Sequence, residues 1–176
     1  MEDIASKLCN QGYILRSGSA SGADTAFEIG CDRVLGGGEI YVPWNSFGAG
    51  SPRDGKKYHT ITPQQLKGIR AFYLKSGILP EFDNLKRSVK LLHARNYLQV
   101  LGRHHQVSKV CLFYSETDWF TGAPVGGTRI AYAVSTHFKV PCYNLQNEKD
   151  CDKIIKRLNL KPKQHYIDNQ DTRGNK

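Results

Sequence analysis

Apolar positions along the chain alternate between helical and extended spacing. In residues 2 to 11, Ile4, Ala5 and Leu8 share one side of a helix that Gly12 closes. Residues 13 to 16 read as a short strand. Ala23, Ala26 and Phe27 restore the helical period as far as Gly30, and Gly36, Gly37 and Gly38 lead into a second strand over residues 39 to 43. Strand, helix, strand at this length is the parallel crossover unit of an α/β sheet. Residues 45 to 57, NSFGAGSPRDGKK, predict a loop.

Thr62 and Pro63 then open a helix, PQQLKGIRAFYLKS, which Gly77 stops. Residues 84 to 101 predict another helix, ended by Gly102. The unbroken apolar character of residues 109 to 114 predicts a buried strand, and residues 121 to 128 form a second glycine-rich turn. After it Ile130, Ala133, Val134 and either His137 or Phe138 recur at helical spacing. A last strand over 139 to 145 precedes an amphipathic helix from Asn147, a good N-cap, to Leu158. The pattern predicts one α/β domain over residues 1 to 160 and a loose polar tail over 161 to 176.

Composition narrows the class. A chain of 176 residues with 39% hydrophobic and 10% aromatic content can bury a single core. No apolar run reaches the ~18 residues of a membrane span and residues 1 to 11 do not resemble a signal, so a soluble protein that stays in the cytoplasm is expected, away from membranes. Five cysteines, Cys9, Cys31, Cys111, Cys142 and Cys151, without a C-x-x-C pair, predict reduced thiols. His59, His93, His104, His105 and His137 lack zinc spacing, so no metal and no cofactor is expected. The net charge of +9 favours anionic partners, nucleic acid or phosphorylated small molecules.

The candidate chemistry lies in the glycine-rich turns. In ILRSGSASGADTAFE, residues 14 to 28, an apolar run enters a Ser/Gly loop and Asp24 falls in the first turn of the helix that follows. Gly18 and Gly22 permit tight turns, and the helix aims its positive dipole end at the loop, a setting suited to phosphate. It is neither G-x-G-x-x-G nor a Walker A loop. Two strands, 13 to 16 and 109 to 114, thus each run into such a turn at their carboxyl ends, where parallel sheets bind ligands.

Those two turns, with LLHARNYLQVLG at 91 to 102 and VPCYNL at 140 to 145, resemble the SLOG superfamily of Rossmann-like nucleotide-binding proteins. The nearest likeness is to phage-encoded proteins related to the DNA-processing protein A family. Its first motif looks like RSGSASGADTAFE and its second like PVGGTRIAYAV, residues 124 to 134, and the likeness runs from Met1 to about residue 145. It implies a Rossmann-like three-layer sandwich with a mainly parallel sheet that lacks the family's usual first strand. The edge so left is open or paired with another subunit, and a homo-oligomer is expected. The ligand implied is a nucleotide or nucleotide-derived molecule, in phage nucleotide metabolism or interference with signalling in the host cytoplasm. Carried over by position, Ser17, Gly18, Ser19, Gly22 and Asp24 form one wall, Gly126, Gly127 and Thr128 the other, and Arg95 and Asn96 point toward the cleft.

Lonely guy enzymes, a more distant branch, carry a catalytic Glu shortly after the second turn. Here Arg129, Ile130, Ala131 and Tyr132 follow with no carboxylate, which places N-glycosidic hydrolysis of a nucleoside monophosphate behind simple binding. Glu116 and Asp118 are the carboxylates expected beside the second turn and the candidates for catalysis. Single-stranded DNA is a third candidate ligand. Asp24 caps its helix or accepts from a ribose, and Thr128 caps the helix starting at Arg129 or donates to a phosphate. Arg95 and Arg129 suit phosphate better than lysines do, because a planar guanidinium pairs bidentately. Trp44, Phe47, Trp119 and Phe120 are placed to stack on a base or to pack as loop staples.

Overall fold

Parallel strands sandwiched between two helical layers make up the fold. The computed structural model describes residues 1–48 and 57–160. In chain order the elements are α1 (Glu2–Asn10), β1 (Leu15–Ser17), α2 (Ala23–Asp32), β2 (Gly38–Val42), β3 (Tyr58–Thr60), α3 (Pro63–Ser76), a 3-10 turn (Phe82–Asn84), α4 (Arg87–Leu101), β4 (Cys111–Phe113), α5 (Thr128–His137), β5 (Cys142–Asn144) and α6 (Glu148–Arg157). Strands β1, β2 and β3 pair in parallel in that order, and β4 pairs in parallel with β5. Backbone pairing therefore falls into two sets. Arg16 of β1 donates to the Gln106 carbonyl ahead of β4.

Strand alternation sorts the core. Leu15, Leu112 and Tyr143 pack with Ile4, Ala5 and Phe27 and with Leu145, Ile154 and Leu158, joining the strands to α1, α2 and α6. On the other face Tyr41 and Cys111 join a larger cluster from α3, α4 and α5 that includes Ile69, Tyr73, Ala94, Leu98 and Val134. Thr62 opens α3 with a reciprocal capping box to Gln65. Asn147 caps α6 by accepting from the Asp150 N–H. Helices α1 and α2 pack closely because Gly30 has no side chain, and its carbonyl accepts the Ser6 hydroxyl.

Several expectations need correction. β3 has no counterpart in the sequence pattern, since Tyr58, His59 and Thr60 are too few to show a period. The helix expected from residue 84 begins at Arg87, after a 3-10 turn whose Phe82 is buried. Cys9 and Cys31 are not free thiols: they form a disulfide between α1 and α2, with Cα atoms 5.8 Å apart. Gly36 is glycine because a Cβ there would lie 2.6 Å from Cys31 Sγ. Most of the loop expected at 45 to 57 and the tail from 161 lie outside the described residues.

A buried carboxylate ties α2 to the strands. Glu28 is 7% exposed and accepts from Ser17 Oγ at 3.2 Å and from the Tyr58 hydroxyl at 3.2 Å. Burial raises its pKa above 4.5 despite the two hydrogen bonds, which oppose the shift. A group raised in the folded state gives stability that is complete below its unfolded value and lost as pH rises through its folded value. Glu28→Gln is therefore expected to gain stability over the wild type as pH rises from about 4.5 toward neutrality. Urea midpoints of both proteins between about pH 4 and pH 8 check this. A difference that shrinks with rising pH would contradict the assignment.

Candidate functional site

Both glycine-rich turns are fastened to adjacent residues of α4. Arg95 is 9% exposed, and its Nη1 donates to the Gly18 carbonyl at 3.3 Å. Its Nε and Nη2 donate to Asn96 Oδ1 at 3.4 and 3.1 Å. Asn96 is buried and passes the linkage on: its Nδ2 donates to the Gly127 carbonyl at 3.0 Å. Neighbouring helix positions point in different directions, so one pair can reach two loops. The path Gly18, Arg95, Asn96, Gly127 joins the turn after β1 to the turn before α5.

A side chain at position 18 would displace Arg95 from this contact. A Cβ there would sit 2.7 Å from Arg95 Nε and 2.9 Å from Arg95 Cδ. Gly22 caps α2 with φ +94°, a conformation that favours glycine. Asp24 accepts from the Ala20 N–H at 3.1 Å and from Gln99 Nε2 at 3.5 Å, so it braces the loop against α4. Its negative charge also acts on Arg95, partly offsetting the burial that pulls that guanidinium's pKa down. The Ser17 hydroxyl is spent on Glu28, and Ser17 is 2% exposed. Ser19 is buried in a left-handed conformation, φ +56°.

The second wall is more open. Gly126 and Gly127 are exposed, and a Cβ at Gly127 would meet nothing within 4 Å. Helix α5 begins at Thr128 with Gly127 as its N-cap and no side-chain cap, which corrects the expectation that Thr128 caps a helix starting at Arg129. Arg129 is exposed in the first turn, and its charge reaches His93 on α4, as does that of Arg95. Burial, together with these two cations, lowers the His93 pKa against the opposing pull of Glu81. The open N-terminal turn of α5 presents backbone N–H groups and a positive dipole end beside Arg129.

Aromatic residues fall into two groups. Phe47, in the segment after β2, lies under Arg95 with the guanidinium carbon 5.3 Å from its ring centroid, and meets Trp44 edge-on at 5.4 Å. Neighbouring spacing had no means of showing that contact. Trp119 and Phe120 lie elsewhere, 91% and 81% exposed at the tip of a small arm braced by Thr117 and Pro124. Asp118 builds that tip: its Oδ1 accepts from the N–H groups of Phe120 and Thr121 and from the Thr121 hydroxyl, and these bonds lower its pKa. Glu116 is exposed on the same arm and offers its backbone carbonyl to Val125.

The structure thus brings Gly18, Asp24, Arg95, Asn96 and Gly127 into one linked set, with Phe47 beside it. Ser17 turns its hydroxyl to Glu28, and the carboxylate of Asp118 is occupied within the arm. Sequence reasoning overlooked Gln99, and it overlooked Glu28 with its partner Tyr58. Glu28 follows Asp24 by one helical turn, among the buried positions Phe27, Gly30 and Cys31, and a carboxylate on an apolar face is the signal that marks it. Among the described residues no cluster of three or more metal-ligating side chains occurs, and no helix is long and apolar enough to cross a membrane. Comparison of the chain with protein-family models, with curated proteins and with solved structures finds no match.

Proposed function

We propose that this chain binds a nucleotide or nucleotide-derived molecule between the turns at 17 to 24 and 126 to 129. The observation that carries the reading is the buried Arg95 and Asn96 pair, which holds both turns in one register by hydrogen bonds to Gly18 and Gly127. Preorganised turns bind without an ordering cost. On this reading the phosphate sits at the open start of α5, against the N–H groups around Gly127 and Thr128, with Arg129 as the exposed cation. Arg95 and Asn96 are positioning residues, and Phe47 and Trp44 supply the flat surface for a base. The motif resemblance to the SLOG superfamily points the same way, including toward nucleotide metabolism or host signalling in a phage setting and toward a homo-oligomer.

Native mass spectrometry of the freshly purified protein, followed by titration with nucleoside mono-, di- and triphosphates, tests the reading. Saturable binding of one of them is expected, with the mass also reporting subunit number. Binding of none at millimolar concentration would remove it.

Two other readings have specific support. The exposed Trp119 and Phe120, with the +9 charge, suit stacking along single-stranded DNA. Salt separates the cases: log affinity against log salt falls by about 0.7 per phosphate neutralised on a single strand, so a strand gives a steep slope and one nucleotide a shallow one. We expect the shallow slope, measured by fluorescence anisotropy with a labelled nucleotide and a labelled oligonucleotide. For hydrolysis of an N-glycosidic bond, Glu116 is the carboxylate on the arm whose side chain holds no turn. Release of free base from a nucleoside monophosphate, followed by chromatography and abolished by Glu116→Gln, is the result that would establish it.

A further inference from the structure

Two cysteines away from the candidate cleft occupy matched positions on neighbouring strands. Cys111 of β4 and Cys142 of β5 are partners in the parallel register, and Cys111 N–H donates to the Pro141 carbonyl at 2.8 Å. Register partners point their side chains to the same face of the sheet. Strands that pair lie about 4.8 Å apart, within the roughly 4.4–6.8 Å between Cα atoms that disulfides span. The face they share is the one covered by α5.

A third polar group completes the cluster. Ser135 of α5 is fully buried, and its hydroxyl has no hydrogen-bond partner. The same hydroxyl eases the ionisation of both thiols. The thiols also interact with each other. Hydrogen bonding from Cys111 lowers the pKa of Cys142, whereas Cys111 itself is held well above its ordinary value by that interaction and by burial. Cys142 is the thiol that the pair favours to ionise, and until it does so it donates to the Val140 carbonyl at 3.3 Å.

We propose that Cys111 and Cys142 are a second disulfide-forming pair in this protein, closed by exchange with a low-molecular-weight disulfide, with Cys142 as the attacking thiol and Ser135 as a positioning residue. Cys142, having lost its proton, attacks one sulfur of the small disulfide. A protein-to-small-molecule S–S bond forms, the original S–S bond breaks, and the departing thiolate takes up a proton. Cys111 then attacks Cys142 Sγ, forming the cross-strand bond and releasing the second small thiol with the proton of Cys111. Two protein thiols are oxidised and one disulfide is reduced to two thiols. The product staples β4 to β5 beneath the helix whose first turn carries Thr128 and Arg129.

Peptide mapping decides the matter, because trypsin places each of the five cysteines in a different peptide. The reduced, folded protein is treated with bis(2-hydroxyethyl) disulfide, quenched with acid, unfolded, alkylated and digested without reductant. The expected result is a cross-link between peptides 110–129 and 140–149 beside the Cys9 to Cys31 cross-link, with Cys151 alkylated. Recovery of Cys111 and Cys142 alkylated separately, while Cys9 and Cys31 have joined, would overturn the proposal. So would a stable mixed disulfide on Cys142 that does not pass to Cys111. Ser135→Ala is expected to slow the 110–129 to 140–149 cross-link several-fold without altering the Cys9 to Cys31 rate, and an unchanged rate would remove Ser135 from the assignment.

Discussion

Gly30→Ala is expected to destabilise the protein by about 3 kcal/mol, toward the upper end of what overpacking a close-packed site costs. For a domain of this length that corresponds to a fall in melting temperature of roughly 6–12 °C. The sign is the informative part. Gly30 is inside α2, where Ala is intrinsically better than Gly by about 1 kcal/mol, so helix propensity alone predicts a gain. Tertiary contact reverses it: a Cβ at Gly30 would lie 2.1 Å from the Glu2 carbonyl oxygen and 2.8 Å from its carbon, both backbone atoms of α1. Helix α1 cannot retreat freely, since the Cys9 to Cys31 disulfide and the Ser6 hydroxyl on the Gly30 carbonyl hold it to α2. Differential scanning calorimetry under non-reducing conditions checks the shift, and a raised melting temperature would show that α1 does not pack as described.

Gly127→Trp is expected to abolish nucleotide binding, on the order of 100-fold or more, equivalent to about 2.7 kcal/mol. The same substitution should leave the melting temperature within about 2 °C of wild type, as surface changes do. Gly127 has φ −64°, which any residue adopts, is exposed, and would have nothing within 4 Å of an added Cβ, so the fold has no reason to object. Its carbonyl continues to accept from Asn96, because a side chain at position 127 does not alter that backbone group. The indole instead fills the open space at the start of α5, where the phosphate is proposed to sit. Titration calorimetry with the nucleotide selected by the panel, paired with calorimetric unfolding, separates the two readouts. Unchanged affinity would sink the two-turn site; lost affinity with lost stability would locate the effect in the fold.

Gly18 shows why the two walls respond differently. At Gly127 a side chain meets open space, whereas at Gly18 it meets Arg95 at 2.7 Å. Both are glycines in Ser/Gly-rich or Gly-rich turns, and local sequence does not distinguish them. Their difference arises from α4, which approaches one turn through a long cationic side chain and the other through a short amide.

Local spacing settled a large part of this molecule. The helical period of Ile4, Ala5 and Leu8, the capping signals at Thr62 and Asn147, and the apolar run over residues 109 to 114 predicted elements that the structure contains, in an α/β order with parallel strands. These features are encoded within a few residues, through backbone hydrogen bonds and the facing of side chains, so they are legible without the fold. What lay beyond reach joins residues far apart in the chain. The pairing of β3 with β2, the disulfide between Cys9 and Cys31, the reach of Arg95 to Gly18 across 77 positions and the register of Cys111 with Cys142 all belong to that class. By itself the sequence determined most of the helices, the strands with a clear apolar run and where glycine-rich turns stand at strand ends, but not the short β3 or the 3-10 turn before α4. Only the tertiary structure decided which side chains those turns meet, because burial and hydrogen-bond satisfaction are properties of the packed whole.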